Sequence, residues 1–430
     1  MSSRGRGFAI SWSTEDRLLF KLLFEPEKAR VLILNRAPES TLPEHDFDWQ
    51  KLVQKAQQEG VAGVLFHNMQ KHRLDDLFPE KHYRFLSYQY YNNLKRNMST
   101  IAELRVVLAK FQEAGVLSMV LKGIALAEHI YPGIGMRGMS DVDLMVKKSD
   151  IIKVDDCLSS LGYVSRDSSV LKALNNPEGY LASIEYRRDD AASLNLHVHW
   201  HTVNTSVPAT AFIGHIDIGR IWEKSVTARV ADSYARTLCP EHLIIYLCEH
   251  ALRVGHSFDR LILICDIFFA IKFYENNIDW NFIVEESNRF HLCRFVYYSL
   301  SIVEYFTLLN IPDDFLQQLK PDKISRGEKL FLDLQMKNNR IRGSSYFIHL
   351  SMNRGFLKKI KFIARTIFPP QEILLQRRYG RDAEFTKKYY LSRIWEVITH
   401  IFRIFSRRRN KTAILTFWLP VLLYPPLFIG

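Results

Sequence analysis

The stretch LKGIALAEHIYPGIGMRGMSDVDLMV, Leu121 to Val146, limits the fold of this chain more than any other. A short apolar run rich in β-formers, Val116 to Gly123, ends at a glycine. A helical stretch (IALAEHIY) follows, then a loop (PGIGMRGMS), then a second short strand (DVDLMV). Strand residues two apart point to the same face, so Asp141 and Asp143 project together while Val142 and Leu144 face the core. Two parallel carboxylates repel unless a cation sits between them. Hard oxygen ligands suit Mg²⁺ or Mn²⁺, which often share their shell with substrate phosphates. Gly123 stands at a strand-to-helix turn, where free backbone N–H groups hold an anion. Lys122 and Arg137 supply positive charge for a phosphate chain. A bare D-x-D pair is weak evidence and Lys-Gly is weaker still. The order of parts carries the signal, and it suits metal-assisted nucleotidyl transfer.

The flanks read differently. Up to about Gly115 the chain predicts helices. Asp48 caps a first one, with Trp49, Leu52, Val53 and Ala56 at helical spacing and Gly60 ending it. A longer pattern from His82 to Ala114 puts Leu94, Met98, Ile101, Leu104, Leu108 and Phe111 on one stripe. After the Asp141 strand come a helix with Ser149 or Asp150 near its N-cap and a β-hairpin, LASIEYRR paired with LNLHVHWHTV. From TLCPEHL to roughly Arg378 the pattern is helical again, with Pro240 in a first turn. The Asp-Trp opening recurs at Asp279-Trp280, as reused capping rather than an internal repeat. The predicted class is α+β, with a small mixed-sheet core flanked by N- and C-terminal helical segments. The expected segments are 1–115 helical, 116–205 α/β core, 206–390 helical and 391–430 a basic amphipathic helix with an apolar tail.

Composition narrows the partners. With 58 Lys+Arg against 46 Asp+Glu the net charge is +12, which favours anionic partners without choosing among them. Five scattered cysteines read as reduced and cytosolic, and the spacing of Cys239, His242, Cys248 and His250 does not fit a common zinc site. No secretory signal is read at the N-terminus. In the tail, Leu391, Ile394, Trp395, Ile398, Ile401, Phe402 and Phe405 form one stripe ending in Arg407-Arg408-Arg409, ahead of TAILTFWLPVLLYPPLFIG. Pro420, Pro425 and Pro426 argue against one straight span. An interfacial helix at the inner face of the membrane and packing on the protein's own helices are both open readings. A cytoplasmic, peripheral location is the expectation.

LKGIALAEHIY…MRGMSDVDLMV resembles the polymerase-beta-type nucleotidyltransferase superfamily. More narrowly, the chain resembles the uncharacterised nucleotidyltransferase family found near bacterial polysaccharide and peptide-biosynthesis genes. Its FDWQKLVQKAQQEGV, LHVHW, CPEHLIIYLCEHAL, DRLILICDIFFAI and FPPQEILLQRRYG segments extend that resemblance over most of its length. The resemblance implies NMP transfer from an NTP, with ATP expected, to an unidentified acceptor. It implies Asp141 and Asp143 as metal ligands, and Lys122, Gly123, Arg137 and Ser140 on the nucleotide. The superfamily's third carboxylate belongs near His197, where Asn195, His197, His199 and His201 share a face and none is acidic. His197 and His199 are therefore candidates to bind metal or accept a proton, or are structural. Glu185 on the preceding strand substitutes if the register allows. His250 and Asp266 are candidates for the acceptor side, with capping or pairing the other reading. The alternative function is a catalytically degenerate nucleotide-binding or sensing scaffold at the membrane surface. A nucleic-acid partner is not expected, because no separate motif for one is present.

Overall fold

The computed structural model describes residues 12–34, 47–165, 182–188, 194–203, 211–338, 340–371 and 386–406. Its centre is a seven-stranded mixed sheet in the order β3-β4-β5-β2-β1-β7-β6. The strands are β1 (Ser118–Val120), β2 (Val142–Val146), β3 (Val164–Ser165), β4 (Ser183–Arg187), β5 (Leu196–His199), β6 (Val226–Val230) and β7 (Ser233–Thr237). β2 pairs parallel with β5 and β1 parallel with β7, and the remaining neighbours are antiparallel. Helices flank the sheet, so the class is α+β.

Alternation along the strands gives the sheet two different faces. Val120, Val142, Leu144, Val146, Ile184, Tyr186, Leu196 and Val198 are buried in one core with Leu104, Val107 and Phe111 of the helix Glu80–Glu113 and Val154 and Leu158 of the helix Ile151–Ser160. Met119 and Met145 on the opposite face join a larger core, built from both the N-terminal helices and the C-terminal helical body. Those two segments pack on each other: Phe20 stacks on Phe306 at 4.9 Å, and Trp12 Nε1 donates to Met336 O at 3.1 Å. Asp48 and Asp279 both cap their helices, accepting from the N–H of Lys51 (2.8 Å) and Phe282 (3.0 Å).

The structure departs from the sequence reading at two points. The hairpin β6–β7 was not read at all, and it carries the sheet past the boundary placed at 205. On the long helix Met98 is 50% exposed and Asn97 is buried instead. Asn97 Nδ2 donates to Ile134 O (2.7 Å) and Arg137 O (2.8 Å), so a hydrogen-bond demand rather than hydrophobicity sets the inward face there. The helix at the tail runs from Lys388 to Ser406, while Arg407–Arg409 and the apolar end lie outside the described residues. Among the described residues, no helix is long and apolar enough to cross a membrane.

Candidate active site

The site lies on the sheet face that looks toward the C-terminal helical body. β1 ends at Val120, and Leu121, Lys122 and Gly123 make the turn into the helix Ile124–His129. Gly123 has φ +67°, a conformation that a side chain disfavours. A Cβ there would also sit 3.4 Å from Met139 Sδ and 3.6 Å from Asp141 O, so glycine lets the turn close against the following loop. That loop is held from below. Asn93 Nδ2 donates to Gly135 O at 3.3 Å, one helical turn before the Asn97 contacts. The chain then rises into β2 with Asp141 at its entrance and Asp143 inside it.

The two aspartates occupy different environments. Asp143 is buried, and its carboxylate divides its oxygens. Oδ2 takes Lys122 Nζ at 2.7 Å, and Oδ1 takes His199 Nε2 at 2.8 Å. Burial favours the neutral acid, but the Lys122 ammonium and the two histidines outweigh it and hold the Asp143 carboxyl well below its usual range. Lys122 loses to burial and gains more from Asp143, so it is held charged. The Asp141 side chain is 31% exposed and accepts from Ser140 Oγ at 3.0 Å.

His197 stands among three carboxylates. The β2–β5 register sets it beside Asp143 and the β4–β5 register sets it beside Glu185. Its Nδ1 lies 3.6 Å from Asp141 Oδ2 and 4.0 Å from Asp143 Oδ1, and its Nε2 lies 3.8 Å from Glu185 Oε1. Burial lowers its basicity, but these acids prevail and raise its pKa. For His199 burial wins over Asp143 and the pKa falls. His199 Nδ1 is buried with no hydrogen-bond partner among the described residues. Glu185 Oε1 also takes Arg187 Nη2 at 2.5 Å.

Asp143, His197 and His199 each offer one ligand atom within 4.8 Å of the others. One carboxylate oxygen and two imidazole nitrogens fit a single divalent ion of the first transition row better than an all-oxygen Mg²⁺ cage. A second ion against Asp143 would have to displace Lys122 from Oδ2.

Two of the site candidates pair with each other. Arg137 commits Nε and Nη2 to Asp266 Oδ1 and Oδ2 at 2.8 and 2.9 Å, both residues are buried, and its Nη1 stands 3.9 Å from where a Cβ on Gly123 would sit. Asp266 thus takes the pairing reading. It also accepts from Tyr131 Oη at 2.7 Å, and it bolts the loop to the helix Ile262–Tyr274. A planar guanidinium sealed from water satisfies its charge with a matching carboxylate, which accounts for the pairing. His250, 7% exposed, stands in the wall opposite the sheet, its ring 4.4 Å from that of His256. Burial first, then Lys122, hold it neutral.

The sequence reading missed Tyr246, Glu249 and Arg253 on the same helix, Pro240–Leu252 and its cap. Tyr246 is pushed up to about 12, by burial first, and interacts with Lys122 and Asp143. Arg253 binds Glu249 and donates to Thr202 O at 2.6 Å, tying the helix to the end of the β5 segment. The signal was present: Tyr246, Glu249, His250 and Arg253 recur at helical spacing within an otherwise apolar helix. His349 props that helix from behind, Nε2 lying 3.2 Å from Leu252 O.

A pH dependence follows from His349. It is 3% exposed and burial lowers its pKa from 6.5 to about 4. Below pH 6.5 the unfolded chain binds a proton that the folded chain refuses, so stability falls as pH drops toward 4. His201 and His256, lowered to about 4 and about 3, act in the same direction. Urea unfolding is expected to show a loss from His349 of about 1.4 kcal/mol per pH unit in that window. In His349→Gln the slope should be shallower by that amount, and an unchanged slope would refute the assignment.

A strand–glycine turn–helix–loop–strand unit with paired aspartates, set on a mixed sheet and backed by helices, defines a nucleotidyltransferase-type protein. A family model described as uncharacterised nucleotidyltransferase matches residues 45–307, and the chain belongs to that family. A search of curated proteins returned no match.

Proposed function

We propose that this protein transfers a nucleotidyl group from an NTP, with ATP as the first candidate, to an acceptor hydroxyl, phosphate or carboxylate. An acceptor oxygen forms a bond to the α-phosphorus, the bond to the bridging oxygen breaks, pyrophosphate leaves, and any acceptor proton passes to a base. The observation that carries the reading is the meeting of Asp141, Asp143, Lys122 and the Gly123 turn in a family member of this class.

Lys122 keeps N–H donors beyond the one it gives Asp143, and these would serve the phosphates. Gly123 lets the backbone approach them. Asp143 Oδ1, His197 Nδ1 and His199 Nε2 would hold one divalent ion, with Asp141 Oδ2 at its open side. Glu185 orients His197 through the other ring nitrogen, the usual second partner of a ligating histidine. Such an ion would supply charge neutralisation at the phosphate oxygens. Lys122 stands as a fixed second positive charge, where related two-metal sites place a second ion.

The test is transfer of label from α-phosphorus-labelled NTPs into a cell extract, beside direct metal binding by calorimetry. Wild type is expected to bind Mn²⁺ at least about tenfold more tightly than Mg²⁺, and His197→Asp to narrow that gap. Equal affinities in the wild type would sink the nitrogen-ligand reading while leaving transfer itself open.

The Lys122–Asp143 pair and the histidine at 197 also favour a second reading, a nucleotide-binding scaffold without turnover. NTP binding with no labelled product in any extract would select it.

A further inference from the structure

The helix Phe356–Ile367 turns its apolar side away from the protein. Phe356 and Leu357 are 77% and 79% exposed, Ile360 and Ile363 are 46% and 39%, and Phe368 just beyond is 52%. At about 3.6 residues per turn, Phe356, Ile360 and Ile363 form one stripe with Leu357 beside it. Single exposed apolar residues are ordinary, but a continuous stripe of them is not.

The opposite side of the helix is already used. Phe362 and Thr366 are buried. The Phe362 ring lies 5.1 Å from Tyr346, and Thr366 O accepts from Arg393 Nε at 3.3 Å. Tyr390 Oη donates to Pro369 O at 2.9 Å, so the helix Lys388–Ser406 clamps the same buried side. Leu391 and Trp395 of that second helix are themselves 59% and 41% exposed.

Charge identifies the occupant. Arg354, Lys358, Lys359, Lys361 and Arg365 surround the stripe, and no acidic residue occurs from Ser351 to Gln371. A second copy of the chain would set this basic rim against itself. The chain's own apolar end is reached through Arg407-Arg408-Arg409, which adds to the positive charge rather than offsetting it. An apolar stripe bordered by lysines, on a helix fixed by its other side, matches a surface that is apolar within and anionic at its edge.

We propose that Phe356–Phe368 is an interfacial helix that docks this protein on an anionic lipid surface. The transfer reading plays no part in the argument. Flotation of the 430-residue chain with vesicles of phosphatidylcholine, alone or mixed with phosphatidylglycerol, tests it. Binding to the anionic vesicles is expected, falling with salt, with little binding to the neutral ones. Phe356→Asp/Leu357→Asp should lower partition at least about tenfold, and Lys358→Glu/Lys361→Glu should do the same on anionic vesicles. All four side chains are exposed, so melting should not change. Full binding by Phe356→Asp/Leu357→Asp would assign the contact to another segment and overturn the proposal. So would no binding of the parent chain, equal binding to both vesicles, or a monomer–dimer shift in that variant.

Discussion

Asp143→Ala is expected to abolish transfer and to cost the fold about 3–5 kcal/mol, in one substitution. The two effects share a cause. Asp143 is 4% exposed and its partner Lys122 Nζ is 2.7 Å away. Removing the carboxylate leaves a largely buried ammonium without its ion-pair partner, and it leaves His199 without its partner as well. Loss of activity in Asp143→Ala alone is therefore ambiguous. Asp141 separates the effects, because its carboxylate is partly exposed and its stabilising contacts are few. Asp141→Asn is expected to lose transfer with unfolding changed by less than about 0.5 kcal/mol. Lys122→Met/Asp143→Leu, which removes both charges, should recover most of the stability and none of the transfer. Urea unfolding and label transfer on the same preparations read both quantities. Wild-type stability in Asp143→Ala would refute the buried pair, and retained transfer in Asp141→Asn would remove that residue from the site.

Asp266→Ala is the second large effect, again about 3–5 kcal/mol. The pair is bidentate and buried on both sides, and Tyr131 shares the same carboxylate. Arg137→Lys should also lose most of the interaction, since an ammonium cannot replace a two-pronged fork. A double-mutant cycle between Arg137 and Asp266 should return a coupling of about 2–3 kcal/mol. A coupling near zero would mean that the loop is held by its asparagine contacts alone. Transfer should fall with Asp266→Ala, because the Arg137 loop that it holds leads directly into Asp141. The split is informative: a role in positioning predicts partial activity at low temperature, where the folded state is populated.

Local pattern made some parts of this protein readable. Caps at Asp48 and Asp279, the break at Gly60, the glycine turn at Gly123 and the alternation through Asp141–Asp143 are each set by residues near in sequence. The hairpin β6–β7 was not readable in the same way. VTARV and SYART are short and carry polar residues, β6 is an edge strand, and β7 joins the sheet by pairing with β1, over a hundred residues earlier. Asn97 was missed for a related reason. A polar residue in a helical stripe looks outward until a loop from elsewhere in the chain supplies the carbonyls it binds.

The candidate site divides along the same line. Sequence alone determined which carboxylates share a strand face and where a glycine must turn, because those follow from the two-residue period and from φ at one residue. Tertiary structure decided the charges. It paired Arg137 with Asp266, it set Lys122 on Asp143, and it brought Glu185 opposite His197 through strand register. Charge pairing in a buried site depends on distances of a few ångströms between residues distant in the chain, and no local pattern encodes those distances.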